Sequence, residues 1–232
     1  MYPMNRNTFL AALVTLCFFL SGAGGLSAAG EEKQALSEDL SKIMDALEER
    51  YSAPDFSAEF KQDSWLKAMD IRDTANGKVW FQKPGRMRWE YENPEPQTII
   101  TDAKEMWVYR PYDNQVMVGK APTYFSGGKG ASFLIDIRQM SRHFDIQLSE
   151  KSNVVYHVLH LVPKEKTPDL DHILIWINRD IYDIETVATY NQFGDETIFR
   201  FTAIGFGQDL DPAMFRFDIP EGADVVYLDE TQ

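Results

Sequence analysis

Two hydrophobic periods run along this chain. In residues 31–51, "EEKQALSEDLSKIMDALEERY", Leu36, Leu40, Ile43, Leu47 and Tyr51 recur at steps of four, three, four and four. That spacing predicts one helix with a single apolar face, because a helical turn takes about 3.6 residues. The opposite face is charged, so this helix lies on a surface and docks by one stripe. From residue 55 the period becomes two. Phe56, Ala58 and Phe60 alternate with polar residues, and Met87, Trp89 and Tyr91 alternate with Arg86, Arg88 and Glu90. Val116 and Val118, Ile146 and Leu148, then Val155, His157, Leu159 and Leu161 continue the pattern. Ile184, Thr186, Ala188 and Tyr190 follow, and Ile198, Arg200 and Thr202 end it.

Turn signals separate these runs: Asn76-Gly77, Lys83-Pro84-Gly85, Asn93-Pro94-Glu95-Pro96, Arg110-Pro111 and Phe193-Gly194-Asp195. Short strands joined by short turns predict an antiparallel meander of roughly eleven strands. No composition break divides it, so residues 30–232 read as one domain without repeats. One segment interrupts the strands. "TYFSGGKGASFLIDIRQMSRHFD", Thr123 to Asp145, opens with glycines and then places Phe133, Ile137, Met140 and Phe144 at helical spacing. It predicts a short amphipathic helix on a Gly127-Gly128 hinge, with a stripe softened by methionine. A long curled sheet must have its concave face filled or covered. The two helical stripes are the covers available, and a curved sheet under hinged helices describes a pocket for an apolar ligand.

Composition narrows the reading. The 232 residues are 44% hydrophobic and 13% aromatic, enough for a substantial core. A formal charge of −13 argues against nucleic acid or anionic headgroups as partners, since both need a cationic footprint. Residues 1–29 carry a single charge, Arg6, an apolar run from Phe9 to Leu20, and small residues ending Ser27-Ala28-Ala29. This is the layout of a secretory signal cleaved after Ala29. The run is too short for a spanning helix, which needs about 20 residues. Without Arg6 the chain keeps 22 basic residues against 36 acidic, a charge of −14. Cys17, the one cysteine, sits inside the apolar run after Leu16, which is not the small residue that lipidation requires. The processed chain then has no disulfide and no thiol chemistry.

Motifs for chemistry are weak. "SGGKGAS", Ser126 to Ser132, lacks the order of a phosphate loop and its strand–loop–helix setting. His143, His157, His160 and His172 include no HExxH pair, and His157 and His160, three apart on a strand, face opposite ways. No G-x-S-x-G elbow occurs, and the carboxylates are scattered over turns and the exposed helix face. No catalytic site, metal site or cofactor is expected.

The leading helix, "FSAEFKQ" (Phe56 to Gln62), "GKVWFQKPGRMRWEY" (Gly77 to Tyr91), "TIITDAKEMWVYRP" (Thr98 to Pro111) and the closing "FRFDIPEG" (Phe215 to Gly222) follow one another in a specific order and spacing. Together they resemble the periplasmic outer-membrane lipoprotein carrier proteins, the LolA family, over essentially the whole chain after the leader. The resemblance implies a mainly β fold: a single curved antiparallel sheet forming an unclosed β-barrel, with helices covering its concave apolar face. It implies a periplasmic, monomeric carrier that does no chemistry. Its partners would be acylated lipoproteins, an inner-membrane lipoprotein-releasing ABC transporter complex that loads it, and an outer-membrane receptor lipoprotein that unloads it. Met87, Trp89 and Ile99 fall where the family lines its cavity, and the lid stripe adds Phe133, Ile137 and Met140. Lys83 falls where the family typically has an arginine that holds the lids shut. Lysine lacks the planar fork of an arginine, so Arg86 and Arg88 are the alternative latches. Two other readings compete: a β-rich scaffold module with a solid core, and a sensor of lipid or lipoprotein.

Overall fold

The computed structural model describes residues 39–122, 137 and 140–228. The first element, α1, covers residues 39–50. Six strands then form an up-and-down meander: β1 (Asp55–Leu66), β2 (Ile71–Gln82), β3 (Arg86–Asn93), β4 (Gln97–Asp102), β5 (Glu105–Arg110) and β6 (Gln115–Lys120). A single helical turn, α2 (Met140–His143), leads into a second meander of β7 (Phe144–Leu148), β8 (Tyr156–Pro163), β9 (His172–Asn178), β10 (Ile184–Tyr190) and β11 (Glu196–Phe206). A 3-10 turn (Pro212–Phe215) and β12 (Asp224–Tyr227) complete the order.

All twelve strands belong to one sheet, in the order β12-β6-β5-β4-β3-β2-β1-β11-β10-β9-β8-β7. The two meanders are joined by β1 pairing antiparallel with β11, from Phe56↔Phe206 to Trp65↔Glu196. The sheet is curved and does not close, with β12 and β7 at its edges. One pairing departs from the antiparallel pattern: β12 runs parallel to β6. The chain after β11 does not turn back as a hairpin. It passes the ends of β2 and β3, where Gln82 Nε2 donates to the Leu210 carbonyl (2.8 Å) and Arg88 donates to the Met214 carbonyl (3.0 Å). It therefore reaches the far edge running the same way as β6. Asp55 anchors the start of this tail. It is 3% exposed, and its carboxylate accepts from the Gln208 and Leu210 backbone N–H groups.

The period of two sorts side chains onto two faces. The concave side holds the main core, which runs from Trp89, Phe60 and Phe56 across Phe201 and Val187 to Ile175 and Leu159. The stripe of α1 joins it: Ile43, Leu47 and Tyr51 are buried, and Leu40 and Met44 pack partly against it. The second predicted stripe is only partly helical. Ile137 and Met140 are buried in the same core, but α2 stops at His143, and Phe144 opens β7 opposite Pro163. Pairing with β8 gives the backbone there its hydrogen-bond partners, so the segment turns from helix to strand while Phe144 still faces inward. The Gly127-Gly128 hinge and Phe133 lie outside the described residues.

Gly77 holds a register shift in the β2–β3 pairing. A Cβ placed there would lie 1.8 Å from the Glu90 carbonyl oxygen. Gly77→Ala must push two paired strands apart, so it is expected to cost about 3 kcal/mol. A lowered urea midpoint with little change in slope is the measurement that checks this.

Candidate ligand-binding face and its latch

Strand register arranges the concave side of the first meander in rows. Phe56, Phe81, Met87 and Thr101 are successive cross-strand partners, and so are Ala58, Val79, Trp89 and Ile99. A third row runs Phe60, Gly77, Tyr91 and Gln97. The rows interlock through ring contacts. Phe56 stacks on Phe81 with centroids 4.5 Å apart, and Phe60 meets Trp89 edge-on at 4.9 Å. Trp89 also reaches across to Phe199 at 5.4 Å. Such pairs add about 0.5–1.5 kcal/mol each beyond the area they bury.

Of the six residues expected to line a cavity, five are brought together. Met87 is 1% exposed and Trp89 5%; Ile137 and Met140 are buried against the same core, and Ile99 is half-buried at its margin. Phe133 falls outside the described residues. Among the described residues this face is filled by the chain's own side chains, chiefly the stripe of α1 with Ile137 and Met140.

The C-terminal end of α1 is where the cover is fixed by polar bonds. Lys83 Nζ donates to the Tyr51 carbonyl, one residue beyond the helix, while the Lys83 backbone N–H donates to the Pro54 carbonyl at 2.7 Å. A cation at a helix C-terminus also opposes the partial negative charge there, worth about 0.3–1 kcal/mol. Arg50 Nε donates to Asp183 Oδ1 at 2.7 Å, with the guanidinium 4.2 Å above the centre of the Phe206 ring. The Ile184 backbone N–H donates to the Tyr51 hydroxyl at 2.9 Å. The β2–β3 turn, the β9–β10 turn and the end of β11 thus converge on two adjacent residues.

The three candidate latch cations separate. Arg86 donates to Gln82 Oε1 at 2.8 Å. Arg88 pairs with Glu90 and donates to the Met214 carbonyl of the tail. Arg86 and Arg88 alternate with Met87 and Trp89, so they project from the convex side, away from α1. Lys83 instead sits in the turn, where it reaches a helix carbonyl. The latch role is carried forward for Lys83 alone. The bonds of Arg50 to Asp183 and of Tyr51 to Ile184 are not legible in the sequence because the partners lie 133 positions away. The one local signal was an arginine in the last turn of a predicted helix.

Burial shapes two tyrosines. The Tyr91 hydroxyl, which donates to Gln62 Oε1 at 2.9 Å, is pushed up to about 12 by loss of solvent. Burial raises Tyr51 as well, against the opposing pull of the Ile184 N–H. His157 and His160 fall on opposite faces, the first beside Tyr182 at 6.2 Å and the second beside His172 at 5.1 Å.

A sequence profile described as outer membrane lipoprotein carrier protein LolA matches residues 52–218. The chain belongs to the LolA family. The match starts one residue after Tyr51 and ends in the tail at Asp218. The outer-membrane lipoprotein carrier protein of Alkalilimnicola ehrlichii is 28% identical over 223 residues, 93% of each chain. That of Legionella pneumophila is 30% identical over 171 residues, 73% of this chain and 82% of the relative. Among solved structures, an uncharacterised conserved protein from Thermus thermophilus superposes with a TM-score of 0.53 at 14% identity, covering 82% of this chain and 99% of that one. That likeness bears on the fold alone. The LolA family is one of carriers, not of enzymes.

Removing the Lys83 cation is expected to loosen α1 without unfolding the sheet. A hydrogen bond from a charged donor is worth about 1.5–3 kcal/mol. Lys83→Leu should therefore speed amide exchange in residues 39–51 by roughly tenfold or more while protection in β8–β10 is kept. Lys83→Arg should leave that exchange close to wild type.

Raised tyrosines set an alkaline limit. In the unfolded chain Tyr91 ionises near 10, whereas in the folded protein it stays protonated to about 12. The stabilisation is thus complete below the lower value and is lost as pH rises from there through the upper one. Urea midpoints should fall across this window. The fall should be shallower in Tyr91→Phe.

Proposed function

We propose that the protein is a periplasmic carrier of acylated lipoproteins. It takes their acyl chains onto the concave face and releases them without chemistry. The observation that carries this reading is the pairing of an apolar face with a helix docked on it by a single stripe. The rows around Trp89 form a continuous apolar surface, and α1 meets them through one stripe while its polar bonds gather at one end. Lifting α1 exchanges contacts with Ile43 and Leu47 for contacts with an acyl chain. The apolar area out of water then changes little, and the two states can lie within a few kcal/mol. Membership of the LolA family and the printed names of the two carrier relatives support the same class of cargo.

In this reading an inner-membrane ABC transporter complex supplies the lipoprotein and an outer-membrane receptor lipoprotein takes it away. Residues 1–29 serve as the export signal, and residues 30–232 form the carrier domain. Lys83 holds α1 down until a ligand competes for the face beneath it. One observation favours the scaffold alternative: the face is filled among the described residues, as a permanent core would be.

A synthetic triacylated cysteinyl lipopeptide separates the two. The acylated peptide should bind with one-to-one stoichiometry and a dissociation constant of micromolar order, about −8 kcal/mol, while the same peptide without acyl chains should not bind. Ile99→Asp, at the margin of the face, should weaken binding at least tenfold with a smaller effect on the urea midpoint. Equal behaviour of the acylated and bare peptides would establish the solid core and overturn the carrier reading.

A further inference from the structure

The concave face has two different ends. At the first row, Phe56 lies under the ring of Tyr51, 5.4 Å away and edge-on, and the bonds of Lys83 and Arg50 close that end. At the third row the lining changes character. Phe60 and Tyr91 are in edge contact at 5.0 Å, but the next partner of Tyr91 is Gln97, and Arg110 donates to Gln97 Oε1 at 3.4 Å. Gln62, two residues beyond Phe60 on the same face, accepts the Tyr91 hydroxyl. A cleft of about 450 Å3 opens here, between the β3–β4 and β5–β6 turns. Gln62, Tyr91, Gln97 and Arg110 line it, with Pro94, Glu95 and Pro96 on one side and Tyr112 and Asp113 on the other. Tyr112 is 74% exposed.

We propose that this cleft is the seat of the polar head of the cargo, the acyl-bearing cysteine with the first residues of its peptide, while the acyl chains lie toward Trp89. The proposal rests on the carrier reading above and adds a direction to it. An amphiphile on a graded surface places its polar part where hydrogen-bonding groups replace hydrocarbon, since an unpaired amide or ester against the apolar rows would lose its water without compensation. This end of the face supplies that replacement. Gln97 and Gln62 offer amide groups and Arg110 offers donors. The ring of Tyr91 belongs to the apolar lining and its hydroxyl to the cleft, which makes it the boundary residue. The volume suits a few residues of extended chain, and the opposite end is shut by the bonds of α1. The peptide therefore leaves the carrier between the two turns.

Two measurements test this in the full chain. In the first, Gln97→Trp narrows the cleft, and binding of the triacylated lipopeptide is compared with that of a fluorescent free fatty acid. Lipopeptide affinity should fall at least tenfold and fatty-acid affinity by less than twofold. Unchanged lipopeptide affinity, or an equal loss of both ligands, overturns the head site. In the second, Cys17→Ser removes the native thiol, and bimane is attached through Tyr112→Cys or, separately, through Val154→Cys; Val154 is 93% exposed and lies in the β7–β8 turn. A lipopeptide carrying tryptophan next to its acylated cysteine should quench the first label and not the second. Quenching at residue 154, or at neither position while the lipopeptide binds, overturns the head site and leaves the carrier reading standing. A wild-type chain that binds neither ligand removes both.

Discussion

The cover over the concave face depends on the seating of two residues at the end of one helix. Arg50 and Tyr51 follow directly from the apolar stripe of α1, and between them they engage Asp183, Ile184, Phe206 and Lys83. These partners belong to distant parts of the chain, so the helix end acts as a pin through both meanders. The rest of α1 is attached differently. Ile43 and Leu47 are held by burial, which is non-directional and proportional to area. A ligand with apolar surface can replace such contacts, whereas the polar bonds at residues 50 and 51 have fixed partners. Burial thus holds the length of the helix, and directional bonds hold its C-terminal end.

The two sides of the sheet are finished by different means. On the concave side the chain's own helical residues fill the apolar rows. On the convex side of the first meander, the tail after β11 does this work. Phe215 is buried there, Phe217 meets Tyr109 at 5.5 Å, and Arg88 holds the Met214 carbonyl. The tail then adds β12 to the edge of β6, which leaves that edge covered by a short parallel strand. The tail, tied through Asp55, Gln82 and Arg88, backs the outer side of the strands that present Met87 and Trp89.

The alternation of apolar and polar positions fixed most of the architecture in advance. Period two from residue 55, punctuated by Gly and Pro turns, is a local property of the backbone, and it placed Met87 and Trp89 on one face and Arg86 and Arg88 on the other. The stripe from Leu40 to Tyr51 was legible for the same reason, because helical spacing is written in consecutive residues. What each cation bonds to was not legible. Lys83, Arg86 and Arg88 stand within six positions of one another, yet only the fold distinguishes a turn residue that reaches a helix carbonyl from two strand residues on the outer face. The parallel β12 was hidden because its partner β6 lies far off in sequence, and the strand conformation of Phe144 because only its pairing with β8 overrides the helical spacing. The tertiary structure also decided that, among the described residues, the stripe of α1 with Ile137 and Met140 packs on the concave face and that its polar end opens into a cleft. Those outcomes depend on how curvature and register bring Gln62, Tyr91, Gln97 and Arg110 to one end of the face, and no single stretch of the chain contains that information.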